Sequence, residues 1–196
     1  MIEISPISTE SLRPDLGTLL GGTAAIAAIS TITLPWPAAL ASIILGAFMI
    51  AGADVDARTY LLPDLVTWGT VASGLLAALA LNPFEPVHGI EAAFARALGT
   101  ALALALLRWS YASLRGQEGL GLGDVKLSAG VGAWLPADLI PLCFSLAAIG
   151  ALIIIGLDHF RGRKVNRSTK IPLGVFLCPA LWLVFYIAEL KNNFFE

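Results

Sequence analysis

Charge is what this sequence has least of. Its 196 residues include only 12 Lys or Arg and 14 Asp or Glu, so 13% are charged while 57% are apolar. A soluble domain devotes about a quarter of its residues to those four charged types. With so few, no water-facing shell closes around that much apolar surface. This excludes a disordered chain, a nucleic-acid-binding surface and most soluble enzyme folds. Cysteine is also scarce: Cys143 and Cys178 lie far apart in separate apolar runs with no CxxC pair. A zinc ribbon is therefore excluded, and no disulfide framework is expected. The two histidines, His88 and His159, have no partner at metal-ligand spacing, so neither a metal nor another cofactor is expected. Ser and Thr are scattered without a His-based triad, which argues against a serine protease.

What the chain has in abundance is apolar runs. They cover about 17–33, 38–53, 65–82, 90–110, 125–135, 139–156 and 171–188, separated by Pro35 and Pro37, Asn82-Pro83 and Pro136. A spanning helix consumes roughly 20 residues. The expected fold is therefore all-α, a polytopic transmembrane helical bundle with about six or seven membrane segments. A single membrane domain, 17–190, is expected between a cytoplasmic N-terminal tail at 1–16 and a C-terminal tail at 191–196. The run at 125–135 is too short to span in a straight line; it is either extended through the glycines before it or only partly inserted. Basic residues set the orientation. Arg13, Arg58, Arg108, Arg115, Lys126, Arg161, Arg163, Lys164, Arg167 and Lys170 fall on one side if 54–64 is cytoplasmic, leaving Lys191 opposite and Arg96 within the membrane. That bias predicts a multi-pass protein of the cytoplasmic membrane with its N-terminus inside.

Acidic residues beside apolar runs carry the chemical information, because each costs about 2.5–3.5 kcal/mol at a helix centre. Asp54, Asp56, Asp64 and Asp124 all fall at the cytoplasmic face. Two carboxylates held close together share one proton, which makes an acid and a base from one residue type. Such a pair hydrolyses a peptide with no metal. Around Asp124 the residues Gly119, Gly121 and Gly123 alternate, leaving a backbone strip that another backbone can approach. A phosphate loop would instead want Gly-Lys-Ser/Thr opening a helix. An alternative for the same acids is an ion site in a small proton-coupled transporter. Transporter charges belong near mid-membrane, often in repeated halves, and neither feature is present here.

Two linked strings carry a resemblance. Asp56-Ala57-Arg58-Thr59-Tyr60-Leu61-Leu62-Pro63-Asp64 is followed by Gly121-Leu122-Gly123-Asp124-Val125-Lys126-Leu127, and together they resemble the type IV prepilin leader peptidases, which are GxGD membrane aspartic proteases. Ala129–Trp134 and Ile171-Pro172-Leu173-Gly174 look like later family motifs, the latter with changes at two positions. The resemblance implies a catalytic pair, Asp56 and Asp124, within motifs at 54–64 and 118–127. Spacing to Leu62-Pro63-Asp64 selects Asp56 over Asp54, which is read as a solvated helix-end residue, while Asp64 is read as a cap of the third helix. Gly121, Gly123, Lys126 and Asp64 are expected to bind substrate or support the pair; Lys126 is also readable as a snorkelling helix-end lysine, and Glu118 as a loop residue. The implied activity is endopeptidase cleavage of the short basic leader from a prepilin-like (pilin or pseudopilin) substrate at the cytoplasmic face, as in type IV pilus assembly or protein secretion. Many family members carry a cytoplasmic loop with paired CxxC motifs and also methylate the new N-terminus. This chain resembles the short form without that loop, so methyltransferase activity is not expected. Partners are then the substrate and the lipid bilayer, with no nucleic acid.

Overall fold

A computed structural model describes residues 12–116, 121–161 and 172–195. Seven helices account for nearly all of them: α1 (Leu16–Thr33), α2 (Trp36–Thr59), α3 (Asp64–Leu81), α4 (Pro86–Arg115), α5 (Leu122–Trp134), α6 (Ile140–Phe160) and α7 (Gly174–Phe195). No strand occurs among the described residues. Every helix but α5 is long and apolar enough to cross a membrane. This is the expected polytopic bundle, and the reason is the bilayer itself: without water, a spanning backbone must satisfy its own N–H and C=O groups.

Boundaries follow local chemistry. Asp15 caps α1, its carboxylate accepting the Thr18 N–H at 2.8 Å. Proline opens α2 and α4, where its missing N–H costs nothing. Gly116 closes α4 in the left-handed region at φ 66°. Several helices outrun the apolar stretches that announce them. α2 continues through Asp54 and Asp56 to Thr59 because its wet end tolerates charge, and α7 continues to Phe195 through the residues expected as a tail. The 1–11 portion of the N-terminal tail, Glu118, Gly119, most of the basic loop and Ile171 lie outside the described residues.

Layering decides what is buried. α2 is the most enclosed of the long helices, whereas α1, α4 and α6 turn most of their apolar surface outward. The core gathers Leu45 and Met49 of α2, Leu127 and Val131 of α5, Cys143 and Ala147 of α6, and Leu177, Cys178 and Leu181 of α7. Polar side chains tie helices together inside it. Ser30 and Ser42 hydroxyls meet at 2.9 Å, and Trp134 Nε1 donates to the Thr70 carbonyl at 2.8 Å. In an apolar solvent such bonds and close small-residue packing replace the hydrophobic drive between helices.

Short α5 is the exception that shapes the rest. Its 13 residues begin at Leu122, with Gly121 as an extended N-cap rather than a further helical residue, and it rises only about 20 Å. It lies tightly between α3 and α4. Gly132 rests on the Arg96 carbonyl so closely that a Cβ there would collide with it, and Thr100 Oγ1 donates to the Ser128 carbonyl at 2.8 Å. Arg96 donates its Nε to the Gly132 carbonyl at 3.3 Å, so a backbone oxygen of α5 serves as a partner for this intramembrane charge. Beyond the C-terminal end of α5, a cavity of about 680 Å³ opens, lined by Asn82, His88, Arg96, Trp134, Glu189 and Asn193 among others. Neither Asp56 nor Asp124 lines it.

Gly132→Val should force α4 and α5 apart, since overpacking costs roughly 1–3 kcal/mol. A lower midpoint of thermal unfolding in detergent is expected. Gly99→Ala, where no atom lies within 4 Å of the added carbon, should leave that midpoint unchanged or slightly higher.

Candidate active site

Asp56 sits in the last turn of α2, which ends where Tyr60 adopts a left-handed backbone at φ 57° and donates its N–H to the Asp56 carbonyl at 2.9 Å. Its side chain is directed inward and is only 4% exposed. A buried carboxylate needs donors, and the start of α7 supplies one: the Val175 N–H reaches Asp56 Oδ2 at 3.0 Å. The first turn of a helix presents unpaired N–H groups and the positive end of its dipole, so an anion is favoured there. Only glycine permits this approach at position 174. A Cβ on Gly174 would stand 2.7 Å from Asp56 Oδ2.

Asp124 comes from a different helix. It occupies the first turn of α5, outside the six long helices, and accepts the Gly121 N–H at 3.3 Å. This is half of a capping box, since Gly121 has no side chain to return the bond. The Asp124 carboxyl is pushed up to about 6, first because burial disfavours the charged form and second because the Asp56 charge repels it; the Gly121 N–H opposes the shift. The two acids thus act on one another across a sequence separation with no local signature.

Leu62 organises the ground between them. It lies in the turn joining α2 to α3, and its side chain meets the positions where Cβ atoms would stand on three glycines. The separations are 3.5 Å at Gly52, 3.0 Å at Gly123 and 3.1 Å at Gly174. α2, α5 and α7 therefore converge on one leucine. Gly123 and Gly121, expected as a strip open to substrate backbone, are a helical residue approached by Leu62 and the extended N-cap of α5. In the sequence Leu62 and Gly174 are visible only as members of motif strings, and nothing local marks either as a site residue.

The remaining acids form two surface joints. Asp54 is not simply solvated. Its Oδ2 accepts Arg58 Nη2 at 2.6 Å and the Asp15 N–H at 2.7 Å, while Arg58 also reaches the Arg13 carbonyl at 2.8 Å. This clasp ties the start of α1 to the end of α2. Asp64 opens α3, where its charge suits the helix dipole, but makes no capping hydrogen bond. Its partner is Lys126, with Nζ 2.5 Å from Oδ1. Lys126 is thereby engaged by Asp64. No group of three or more His, Cys, Asp or Glu able to hold a metal ion occurs among the described residues.

Comparison with known proteins places the same residues in a family. Residues 43–156 match the type IV leader peptidase family, a span that includes both Asp56 and Asp124. The chain is 34% identical over 174 residues to the prepilin leader peptidase/N-methyltransferase of Aeromonas salmonicida strain A449, covering 88% of this chain and 57% of that protein. The protein of the same name from Xanthomonas campestris pv. campestris is 30% identical over 177 residues, covering 90% and 59%. That from Dickeya chrysanthemi is 38% identical over 118 residues, covering 60% and 40%. The chain thus spans less than three fifths of the length of these relatives. No solved structure matches it. With both acid motifs inside the matched span and six apolar helices around them, this multi-pass membrane protein belongs to the type IV leader peptidase family.

Proposed function

We propose that this chain is an aspartic endopeptidase that removes the short basic leader from a prepilin-like membrane protein. What supports the reading is that Gly123, the neighbour of Asp124, and Gly174, which borders Asp56, both meet Leu62, and that the Asp56 charge acts on Asp124. Relatives named as prepilin leader peptidases support the choice of substrate. Their names also carry an N-methyltransferase activity, but the match leaves about two fifths of each such protein uncovered, and no methyl transfer is proposed for this chain. Nothing favours ion transport: the acids stand at helix ends, and the family is one of peptidases.

Hydrolysis needs three things from this site. A carbonyl must be polarised, a water must lose a proton, and the departing amine must gain one. The pair holds one shared proton, and the acid that carries it donates it toward the scissile carbonyl. The other carboxylate takes a proton from water as the oxygen attacks the carbonyl carbon, with the Val175 N–H steadying Asp56. Collapse of the tetrahedral intermediate breaks the C–N bond, and a proton returned from the pair leaves with the amine. The two groups titrate as a pair, so both limbs of the pH profile belong to the dyad. The positive-inside bias supports a cytoplasmic side for this end of the bundle. A basic leader would then remain in water while the apolar helix behind it stays in the bilayer, with the scissile bond at the boundary.

Co-expression with a prepilin-like precursor, scored by loss of the leader on a gel, tests the assignment. Asp56→Asn and Asp124→Asn should each lower cleavage on the order of 10³-fold, within the usual range for losing an acid–base group. Asp54→Asn should leave it largely intact, because that carboxylate is engaged in the α1–α2 clasp. Full cleavage by either of the first two variants would contradict the dyad.

The purified protein should show a bell-shaped dependence of kcat/KM on pH. On the alkaline side activity should fall with an apparent midpoint at about 6, as the pair loses its shared proton. On the acid side it should fall as the second carboxyl gains one. A profile flat between about pH 5 and about pH 8 would contradict a shared proton.

A further inference from the structure

The Asp64–Lys126 ion pair links the two acid motifs at their outer edge. It joins the first residue of α3 to the first turns of α5 across 62 positions of sequence. Just inside it, Leu62 Cβ stands 3.0 Å from where a Cβ would sit on Gly123. The segments 62–64 and 123–126 are thus fastened at two points, one apolar and one ionic. One segment follows Asp56 through the short turn at 60–63, and the other contains Asp124. Asp124's own hydrogen bond, to the Gly121 N–H, is long at 3.3 Å.

We propose that Asp64 and Lys126 are positioning residues: their ion pair sets the separation of Asp56 and Asp124 and so governs the chemical step. The inference rests on the reading of those two acids as the catalytic dyad. Exposure makes the pair informative. The two side chains are 36% (Lys126) and 71% (Asp64) exposed, and an ion pair this open to water adds little to global stability. Its value lies in geometry. An error of about 1 Å at a reacting pair costs roughly 100-fold in rate while leaving the fold intact. The pair also accounts for a lysine two residues past Asp124 that does not neutralise it: Lys126 is held by Asp64.

The test uses the full chain in proteoliposomes with a prepilin-like precursor, measuring kcat, KM and the midpoint of thermal unfolding. Asp64→Lys and Lys126→Asp should each lower kcat about 10- to 100-fold, with KM changed by less than about threefold. The double exchange, Asp64→Lys with Lys126→Asp, should recover kcat to within about fivefold of the parent, since it restores an ion pair of opposite sense. Lys126→Met, which keeps the apolar stem, should lose kcat with its unfolding midpoint unmoved, whereas Lys126→Arg should retain it. Parental kcat in Lys126→Met, or a double exchange no better than the poorer single variant, would overturn the proposal. Failure of the dyad reading looks different: Asp56→Asn and Asp124→Asn would then cleave, whatever the exchange variants do.

Discussion

Keeping a carboxylate buried at the end of α2 is the requirement on which the other features of this bundle depend. Asp56 is almost wholly withdrawn from solvent and takes the Val175 N–H into its Oδ2. A lone carboxylate in such a place is costly. A helix N-terminus delivered directly onto it offsets part of that cost. The delivery demands a glycine at 174, a start to α7 at that residue, and α7 packed along α2 over a core of Leu45, Leu177 and Leu181. Much of the interior of the fold is thus organised to hold one oxygen atom in place.

The second carboxylate is brought there by a helix too short to cross the membrane. A full span would have filled the space that α5 leaves at its C-terminal end as a cavity. The short helix carries its N-terminal turn to Leu62, which also meets Gly174 beside Asp56. It is fixed by backbone-close contact with α4 at Gly132 and by Trp134 on the Thr70 carbonyl. Leu62 then closes the triangle among α2, α5 and α7. Asp124 feels both the dryness of this place and the charge of Asp56, and its carboxyl is pushed up to about 6. Two carboxyls that act on one another in this way hold one proton between them more readily than none.

Much of this could be read directly from the sequence. Helix number and order follow from apolar runs broken by proline and asparagine, because a bilayer admits few alternatives. Asp56 and Asp124 stood out because acids bordering apolar runs are rare and costly. The contacts that make them a site were less visible. Val175 meets Asp56 across 119 residues, and no periodicity announces such a pairing. Leu62 is one leucine among many, and its role depends on three glycines from three helices. Asp54 reads as a solvated end because its clasp partners are a backbone N–H at Asp15 and an arginine that itself looks like a topology marker. Lys126 lies close to Asp124 in sequence, yet its partner is Asp64.

The central claim is that Asp56 and Asp124 face one another in the intact membrane protein. Cross-linking tests it most directly. Cysteines placed at 56 and 124, in a chain whose own Cys143 and Cys178 are replaced by Ala, would be treated in native membranes with a short bifunctional thiol reagent. The account predicts rapid intramolecular cross-linking of Asp56→Cys with Asp124→Cys, and little with Asp54→Cys in place of Asp56→Cys, because Asp54 turns toward the α1 clasp. Equal cross-linking from positions 54 and 56, or none from 56, would contradict it.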